Sequence, residues 1–376
     1  MAQPHSRRMF LGFAATGAAA AALPAVASQP ASAATSAATT AALTPQQLAG
    51  QRVISSYAGL TPPQALLDDI RNGLTSGVVF FGENISSTTQ IGQVITQLRQ
   101  AQAQSPIAAP LLLMTDQEGG LVRRLPGAPT MSERQIGSSS NPTSAASTAG
   151  TGAGQNLRGV GMNVNLAPVL DVYYTSGNFI DQYQRSYSNK PAIVSECGSA
   201  FIKAQQATGV AATAKHFPGL GSATRNQNTD NAPVTLNVTL NQLHTTDEQP
   251  YPAAISAGVK LVMLSWAVYP ALDGSRPAGL SSTVISQELR GRNGFTGVTI
   301  TDALEAGALS AYGTTAQRAV AAAGAGMDLI LCSARDITQA EAATTAMANA
   351  YTNGSLDQTA FNAAVNRVSA LRAGLF

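Results

Sequence analysis

The sequence has few charged and aromatic residues and only two cysteines. Asp, Glu, Lys and Arg together make up 11% of the 376 residues, and aromatic residues make up 5%. Because 22 basic residues nearly balance 20 acidic ones and no basic tract occurs, binding to nucleic acid is not expected. Cys197 and Cys332 lack the Cys/His spacing of a zinc site, so no metal or cofactor is predicted. We interpret both as buried free thiols, with a disulfide as the alternative.

The N-terminal 33 residues have the features of an export signal. Arg7 and Arg8 directly precede an Ala-rich apolar stretch that reaches about residue 27, and small residues occupy positions 31–33. This pattern predicts a twin-arginine signal peptide at 1–33, followed by a flexible leader at 34–44. A membrane anchor is the alternative, although the apolar run is short and contains Pro24. We therefore expect a secreted protein without a stable membrane anchor.

From residue 45 to 376, short apolar runs rich in β-branched residues alternate with amphipathic stretches. The predicted strands are 53–57, 77–81, 111–115, 163–170, 210–214, 260–265, 298–301 and 328–331. The predicted helices between and after them include 62–74, 88–104, 192–208, 240–257 and 315–325, with further helices from Asp336 and Leu356. Eight strand and helix units predict an α/β fold, a single-domain (β/α)8 TIM-type barrel, rather than an open doubly wound sheet.

Polar side chains follow several predicted strands at the point where each strand ends. Asp116 follows the third strand, Lys215 and His216 follow the fifth, and Asp302 follows the seventh. Because the carboxyl ends of barrel strands meet on one face, we expect these groups to share a site. Each also has a purely structural alternative: the carboxylates can cap the next helix, and His216 and Lys215 can satisfy buried neighbours.

Five segments together resemble the catalytic domain of glycoside hydrolase family 3, in particular its single-domain β-N-acetylhexosaminidase branch. The segments are Asp116-Gln117-Glu118-Gly119-Gly120, residues 165–172, residues 215–221, residues 262–265 with 269–271, and Thr301-Asp302-Ala303-Leu304. The resemblance implies retaining hydrolysis of β-linked sugars, with Asp302 as the nucleophile. It also implies sugar binding by five residues: Asp116, Arg124, Arg185, Lys215 and His216. We therefore expect a monomer that binds a small carbohydrate, such as an N-acetylglucosaminide of cell wall or chitin origin.

The loop that carries the acid/base in this branch is different here. Leu220 stands where the branch usually has His, and Asn226-Gln227-Asn228 replaces the usual Asp-Ser-His dyad. Carboxamides cannot donate and recover a proton at neutral pH. We hypothesise that Asp230 acts as the acid/base, and a solvated turn residue is the alternative. The missing dyad also leaves two alternative functions open. One is a sugar-binding pseudoenzyme, and the other is an enzyme that transfers the sugar to phosphate instead of water.

Two further residues are interpreted from their positions. Trp266, the only tryptophan, follows the sixth predicted strand and either stacks on a sugar face or fills the barrel top. His244 falls within a helical pattern and is interpreted as a surface residue.

Overall fold

The computed structural model describes residues 43–376. The predicted signal peptide and nearly all of the predicted leader therefore lie outside the described residues, and their assignments stay predictions. Within the described part, no helix combines the length and the apolar character needed to cross a membrane.

Eight parallel strands form one barrel sheet. They are β1 (Val53–Ser55), β2 (Gly77–Val79), β3 (Leu112–Thr115), β4 (Val164–Asn165), β5 (Ala211–Phe217), β6 (Leu261–Leu264), β7 (Val298–Thr301) and β8 (Ile330–Leu331). The strand order is β7-β6-β5-β4-β3-β2-β1-β8, so β7 and β8 lie at the two ends of the sheet. A parallel bridge between Ile300 and Leu329 joins these ends and closes the barrel. The predicted fold class is thus confirmed.

The strands are apolar on both faces because each face is covered. Within β3, Leu112 and Met114 belong to a hydrophobic cluster that fills the barrel interior. All eight strands or their ends contribute to this cluster, for example through Val164 and Met263. The intervening Leu113 packs instead with residues of the covering helices, among them Leu98. This alternation buries both faces and accounts for the continuous apolar runs in the sequence.

Helices cover the outside of the barrel. The longer ones are Gln64–Asn72, Thr88–Gln102, Pro142–Val160, Pro191–Gln206, Thr315–Ala325, Ile337–Thr352 and Gln358–Ala373. Shorter ones are Pro45–Gly50, Glu133–Gly137, Leu240–Gln242 and Pro250–Ser256, and wider helical turns occupy Leu243–Asp247 and Thr283–Arg292. Most begin at a Ser, Thr, Asn or Asp cap or a Pro in the first turn, as the sequence signals predict.

Two predicted elements differ from the structure beyond small shifts of their ends, and one helix was missed. The fourth strand is shorter than predicted, because Pro168 interrupts the run after Asn165. The predicted helix at 240–257 is divided into three pieces by a wider turn and by Pro250. Helix Pro142–Val160 was not predicted, because it has mainly Ala, Gly, Ser and Thr instead of large apolar residues.

Candidate active site

A cavity of about 500 Å³ opens at the carboxyl ends of the barrel strands. Residues from β2 to β8 or from the loops that follow them line it, as expected for the site-bearing face of such a barrel. The lining includes the predicted site residues Asp116, Arg124, Arg185, Lys215, His216, Asp230 and Asp302. The structure therefore brings these seven residues together at one site.

Lys215 lies between two carboxylates at the base of the site. Its Nζ atom is 2.7 Å from Asp116 Oδ1 and 2.8 Å from Glu118 Oε1, and its side chain is almost fully buried. Burial alone would raise the pKa of Asp116, but the charges of Lys215 and Arg124 hold it below its usual value. The pair thus presents an ionised carboxylate, which can accept hydrogen bonds, and an ammonium group, which can donate them.

Arg185 binds Glu118 in a bidentate pair. Its Nε and Nη2 atoms each donate a hydrogen bond of 2.9 Å to one oxygen of that carboxylate. Although burial would raise the pKa of Glu118, Arg185 and then Lys215 lower it to about 2. Glu118 is thus held ionised, and it fixes the orientation of two cations at the site.

His216 is oriented by Asp171. The Nδ1 atom lies 2.7 Å from Asp171 Oδ2, and the other oxygen of Asp171 accepts a 2.7 Å hydrogen bond from the amide of Leu220. An ionised carboxylate can only accept, so Nδ1 donates and Nε2, 3.5 Å from Arg185 Nη2, is left to face the cavity. Asp171 thereby couples the imidazole to the loop that follows β5.

Asp302 stands directly after β7. Its Oδ1 accepts a 2.8 Å hydrogen bond from the amide of Ala303, and no other described residue pairs with its carboxylate. The carbonyl of Ala303 in turn accepts a 2.8 Å hydrogen bond from the indole of Trp266. The Oδ2 atom of Asp302 thus has no hydrogen-bond partner among the described residues, and the residue lines the cavity.

Asp230 reaches the same cavity from the loop after β5. Two backbone bonds tie this loop to the segment after Asp302: Gly307 donates to the carbonyl of Asp230 at 2.7 Å, and Ala308 donates to that of Thr229 at 3.0 Å. Asp230 is an exposed turn residue, yet desolvation of its carboxyl group at the cavity and then the charge of Asp302 raise its pKa to about 6. Such a group exchanges a proton near neutral pH, which is what an acid/base must do.

Trp266 does not take the predicted role at the site. Its ring is 1% exposed and does not line the cavity, so no face is free to stack on a sugar. The edge of the ring instead packs against Gly279, and its indole supports the backbone next to Asp302. The assignment of Trp266 to substrate binding is therefore corrected to the alternative, a side chain that fills space beside the site.

The other single-residue interpretations have mixed outcomes. Cys197 and Cys332 are both buried free thiols, as interpreted. His244 is partly buried and lies 3.0 Å from Glu288, so it is not a free surface residue. His244, Glu248 and Glu288 also form the one group of potential metal ligands within residues 43–376, but Arg292 already pairs with both carboxylates.

Sequence reasoning missed several residues of the site. Glu118 and Asp171 lie within the segments that carry the resemblance, but nothing in the linear sequence indicates that they orient Arg185 and His216. Glu305, three residues after Asp302, lines the cavity and accepts hydrogen bonds from Ser333 and Gln339. Its oxygens are thus already engaged, whereas no described residue donates to the carboxylate of Asp230.

Two other proteins are similar to this chain in sequence. A chain from Arthroderma benhamiae named "Uncharacterized secreted glycosyl hydrolase" is 46% identical over 329 residues, covering 87% of this chain and 93% of that one. A "Beta-hexosaminidase" from Xanthomonas axonopodis pv. citri is 33% identical over 273 residues, covering 70% and 78% of the two chains.

Two solved structures are also similar. A glycoside hydrolase family 3 β-N-acetylglucosaminidase from Paenibacillus sp. superimposes with a TM-score of 0.83 at 34% identity, and the match covers 89% of this chain but only 63% of that one. A β-N-acetylhexosaminidase from Beutenbergia cavernae has a TM-score of 0.79 at 32% identity, with 88% and 98% covered. The model of the glycosyl hydrolase family 3 N-terminal domain matches residues 46–371. The chain therefore belongs to glycosyl hydrolase family 3, a family of glycosidases.

Proposed function

We propose that this protein is an exported retaining glycosidase of β-linked sugars, with Asp302 as the nucleophile and Asp230 as the acid/base. One observation carries the proposal: a single cavity combines the unpaired carboxylate of Asp302, a second carboxyl group whose pKa is about 6, and a fixed set of hydroxyl-binding groups. Two carboxyl groups with separate tasks are what retaining hydrolysis requires.

In the first step, a carboxylate oxygen of Asp302 attacks the anomeric carbon while the bond from that carbon to the leaving oxygen breaks. Protonated Asp230 gives its proton to the leaving oxygen. In the second step, ionised Asp230 takes a proton from water, the water oxygen bonds to the anomeric carbon, and the bond to Asp302 breaks. Both residues return to their initial states.

The glycone is held by the charged groups at the base of the cavity. Lys215 supplies a donor, the Nε2 atom of His216 faces the cavity, and Asp116 supplies an acceptor that two cations keep ionised. Their mutual ion pairs fix these groups before substrate arrives, which reduces the entropy lost on binding. Relatives named as β-hexosaminidases and β-N-acetylglucosaminidases support a β-linked N-acetylglucosaminide as the substrate.

Export by the twin-arginine route is part of the proposal. Arg7 and Arg8 before an apolar stretch support it, and so does the relative from Arthroderma benhamiae, whose name includes "secreted". Replacing both arginines with lysine is expected to retain the protein inside the cell, and fractionation with immunoblotting measures this. Unchanged secretion would contradict the twin-arginine route.

The nucleophile is tested by trapping. Incubation with a 5-fluoro N-acetylglucosaminyl fluoride, which keeps the acetamido group at C2, is expected to add one sugar mass to the wild type, because the fluorine at C5 slows breakdown of the glycosyl-enzyme while fluoride is a good leaving group for its formation. Peptide mapping should place the sugar on Asp302, and Asp302→Ala should carry no adduct. An adduct on another residue would reject the assignment.

A second candidate function is a sugar-binding pseudoenzyme, favoured by the carboxamides of Asn226-Gln227-Asn228 where a catalytic dyad is expected. Nitrophenyl β-glycosides separate the two: an enzyme turns them over and loses this activity in Asp302→Ala, whereas a pseudoenzyme shows the same background in both. Adding phosphate during the assay tests the third alternative, because a phosphorylase would release sugar 1-phosphate.

A further inference from the structure

Beyond the glycone pocket, an aromatic side chain stands at the rim of the cavity without a role in the chemistry above. Tyr183 lines the cavity and is 45% exposed, which is unusual for a large apolar ring in this chain. Phe179 also lines the cavity and supports the tyrosine in an edge-on contact, with ring centroids 6.3 Å apart. The two rings form an apolar wall beside a polar pocket.

The segment that carries Tyr183 is fixed in place. Asp181 accepts hydrogen bonds from the amide of Gly177 at 2.7 Å and from Ser176, and it pairs with Arg134. Gln184, the residue after Tyr183, accepts hydrogen bonds from the hydroxyl of Ser132 at its side-chain oxygen and from the amide of Arg134 at its carbonyl. The ring is therefore held at the rim by bonds on both sides along the chain, and little ordering entropy would be lost when a ligand packs on it.

The position of Tyr183 relative to the acid/base decides which part of a substrate it meets. The amide of Phe179 donates to the carbonyl of Ala223 at 3.3 Å, and Gln182 donates to that of Arg225 at 3.0 Å. Residues 223 and 225 belong to the loop after β5 that also carries Asp230. The aromatic wall thus packs against the acid/base loop, on the side where the leaving group departs.

From this arrangement we propose that Tyr183 forms the wall of an aglycone subsite that binds a second sugar ring. The inference rests on the proposed function, and it assigns a β-linked disaccharide or longer oligosaccharide as the substrate class. A cavity of about 500 Å³ falls within the range of pockets that hold drug-sized ligands, so two sugar rings fit more closely than one. A tyrosine face suits the apolar face of a pyranose ring, and its hydroxyl stays in water.

A comparison of substrates with and without a sugar aglycone tests the subsite. For Tyr183→Ala, we expect kcat/KM on N,N′-diacetylchitobiose to fall roughly 5- to 15-fold. The same variant should act normally on N-acetylglucosaminyl fluoride, whose leaving group has no ring. Tyr183→Phe should keep most of the activity on the disaccharide. Leu240→Ala, at an exposed residue of a surface helix, is the matched control and should change neither rate. Equal losses on both substrates, or no loss on either, would overturn the subsite.

A binding measurement separates failure of the subsite from failure of the proposed function. Calorimetry on Asp302→Asn compares matched pairs, N-acetylglucosamine with its β-linked dimer and glucose with cellobiose. In at least one pair, we expect the disaccharide to bind Asp302→Asn more tightly than the monosaccharide does. Adding Tyr183→Ala to Asp302→Asn should abolish this difference in affinity. If the wild type hydrolyses no substrate, the proposed function fails and this measurement alone decides the subsite. A dimer advantage that persists in Tyr183→Ala, or its absence from both proteins, would reject the proposal.

Discussion

Asp230 and Gly307 are joined by a backbone hydrogen bond of 2.7 Å, which links the loop that carries the proposed acid/base to the segment that follows the proposed nucleophile, Asp302. The contact leaves no room for a side chain on Gly307, since an added Cβ would lie 2.2 Å from the carbonyl oxygen of Asn231. The relative position of the two carboxyl groups thus depends on a glycine that touches neither the sugar nor its leaving group.

Gly307→Ala is therefore expected to displace Asp230 and to act on the step that needs acid catalysis. We expect kcat/KM to fall at least tenfold on the disaccharide, whose leaving oxygen needs a proton, and less on glycosyl fluoride, which needs little assistance. Gly92→Ala, where an added Cβ meets nothing within 4 Å, is the control and should match the wild type. Parallel losses on the two substrates would argue against a displaced acid.

The raised pKa of Asp230, the proposed acid/base, predicts a pH dependence of the reaction. Because the acid must carry its proton in the first step, kcat/KM on the disaccharide should decline above about pH 6, by tenfold for each further pH unit. Asp230→Asn should have a much lower rate on the disaccharide, and that rate should not decline in this pH range. It should keep more activity on aryl glycosides with good leaving groups. A decline at the same pH in Asp230→Asn would assign the titration to another group.

The sequence was sufficient to predict the barrel and the convergence of the site. Apolar runs that end in Asp116, Lys215 or Asp302 predict parallel strands, and parallel strands place the residues at their carboxyl ends on one face. The residues that orient the site were not predictable in this way. Glu118 and Arg185 are 67 positions apart, and their pairing depends on the path of the loops after β3 and β4. Likewise, the burial of Trp266 depends on its contact with Gly279, which the hydrophobic pattern does not encode.

Glu118 is expected to be required for stability as well as binding. Its buried carboxylate is the partner of Arg185 and shares Lys215 with Asp116, so Glu118→Gln leaves the buried ammonium of Lys215 and the partly buried guanidinium of Arg185 with one carboxylate. We expect the free energy of unfolding to fall by about 3 kcal/mol and the affinity for monosaccharide to weaken. The control is Asp68→Asn, which breaks a 2.6 Å pair with Arg71 at the surface and should cost less than about 1 kcal/mol. Urea unfolding measures both, and equal effects would contradict the role of burial.

Asp247 gives a pH-dependent contribution to stability. Burial raises the pKa of its carboxyl group from 3.8 to about 7, while Tyr174 donates a 2.6 Å hydrogen bond to it. The folded state therefore binds more protons than the unfolded state between about pH 4 and 7, and stability falls as the pH rises through this range. Asp247→Asn can still accept from Tyr174 but does not titrate, so its unfolding free energy should fall less between pH 5 and 8. Asp68→Asn should keep the slope of the wild type, and an unchanged slope in Asp247→Asn would refute the prediction.

Helix Pro142–Val160 was not apparent in the hydrophobic pattern because it packs through small residues, and this makes its glycines testable. An added Cβ on buried Gly150 would lie 2.4 Å from the carbonyl oxygen of Phe201 in the neighbouring helix Pro191–Gln206. Gly150→Ala must therefore separate the two helices, at a cost of about 1–3 kcal/mol. On exposed Gly159 of the same helix, an added Cβ meets nothing within 4 Å. Gly159→Ala should instead stabilise the protein by roughly 0.5 kcal/mol, since alanine loses less backbone entropy in a helix. Thermal and urea unfolding measure the two effects, and a stabilising Gly150→Ala would contradict the role of close packing at that position.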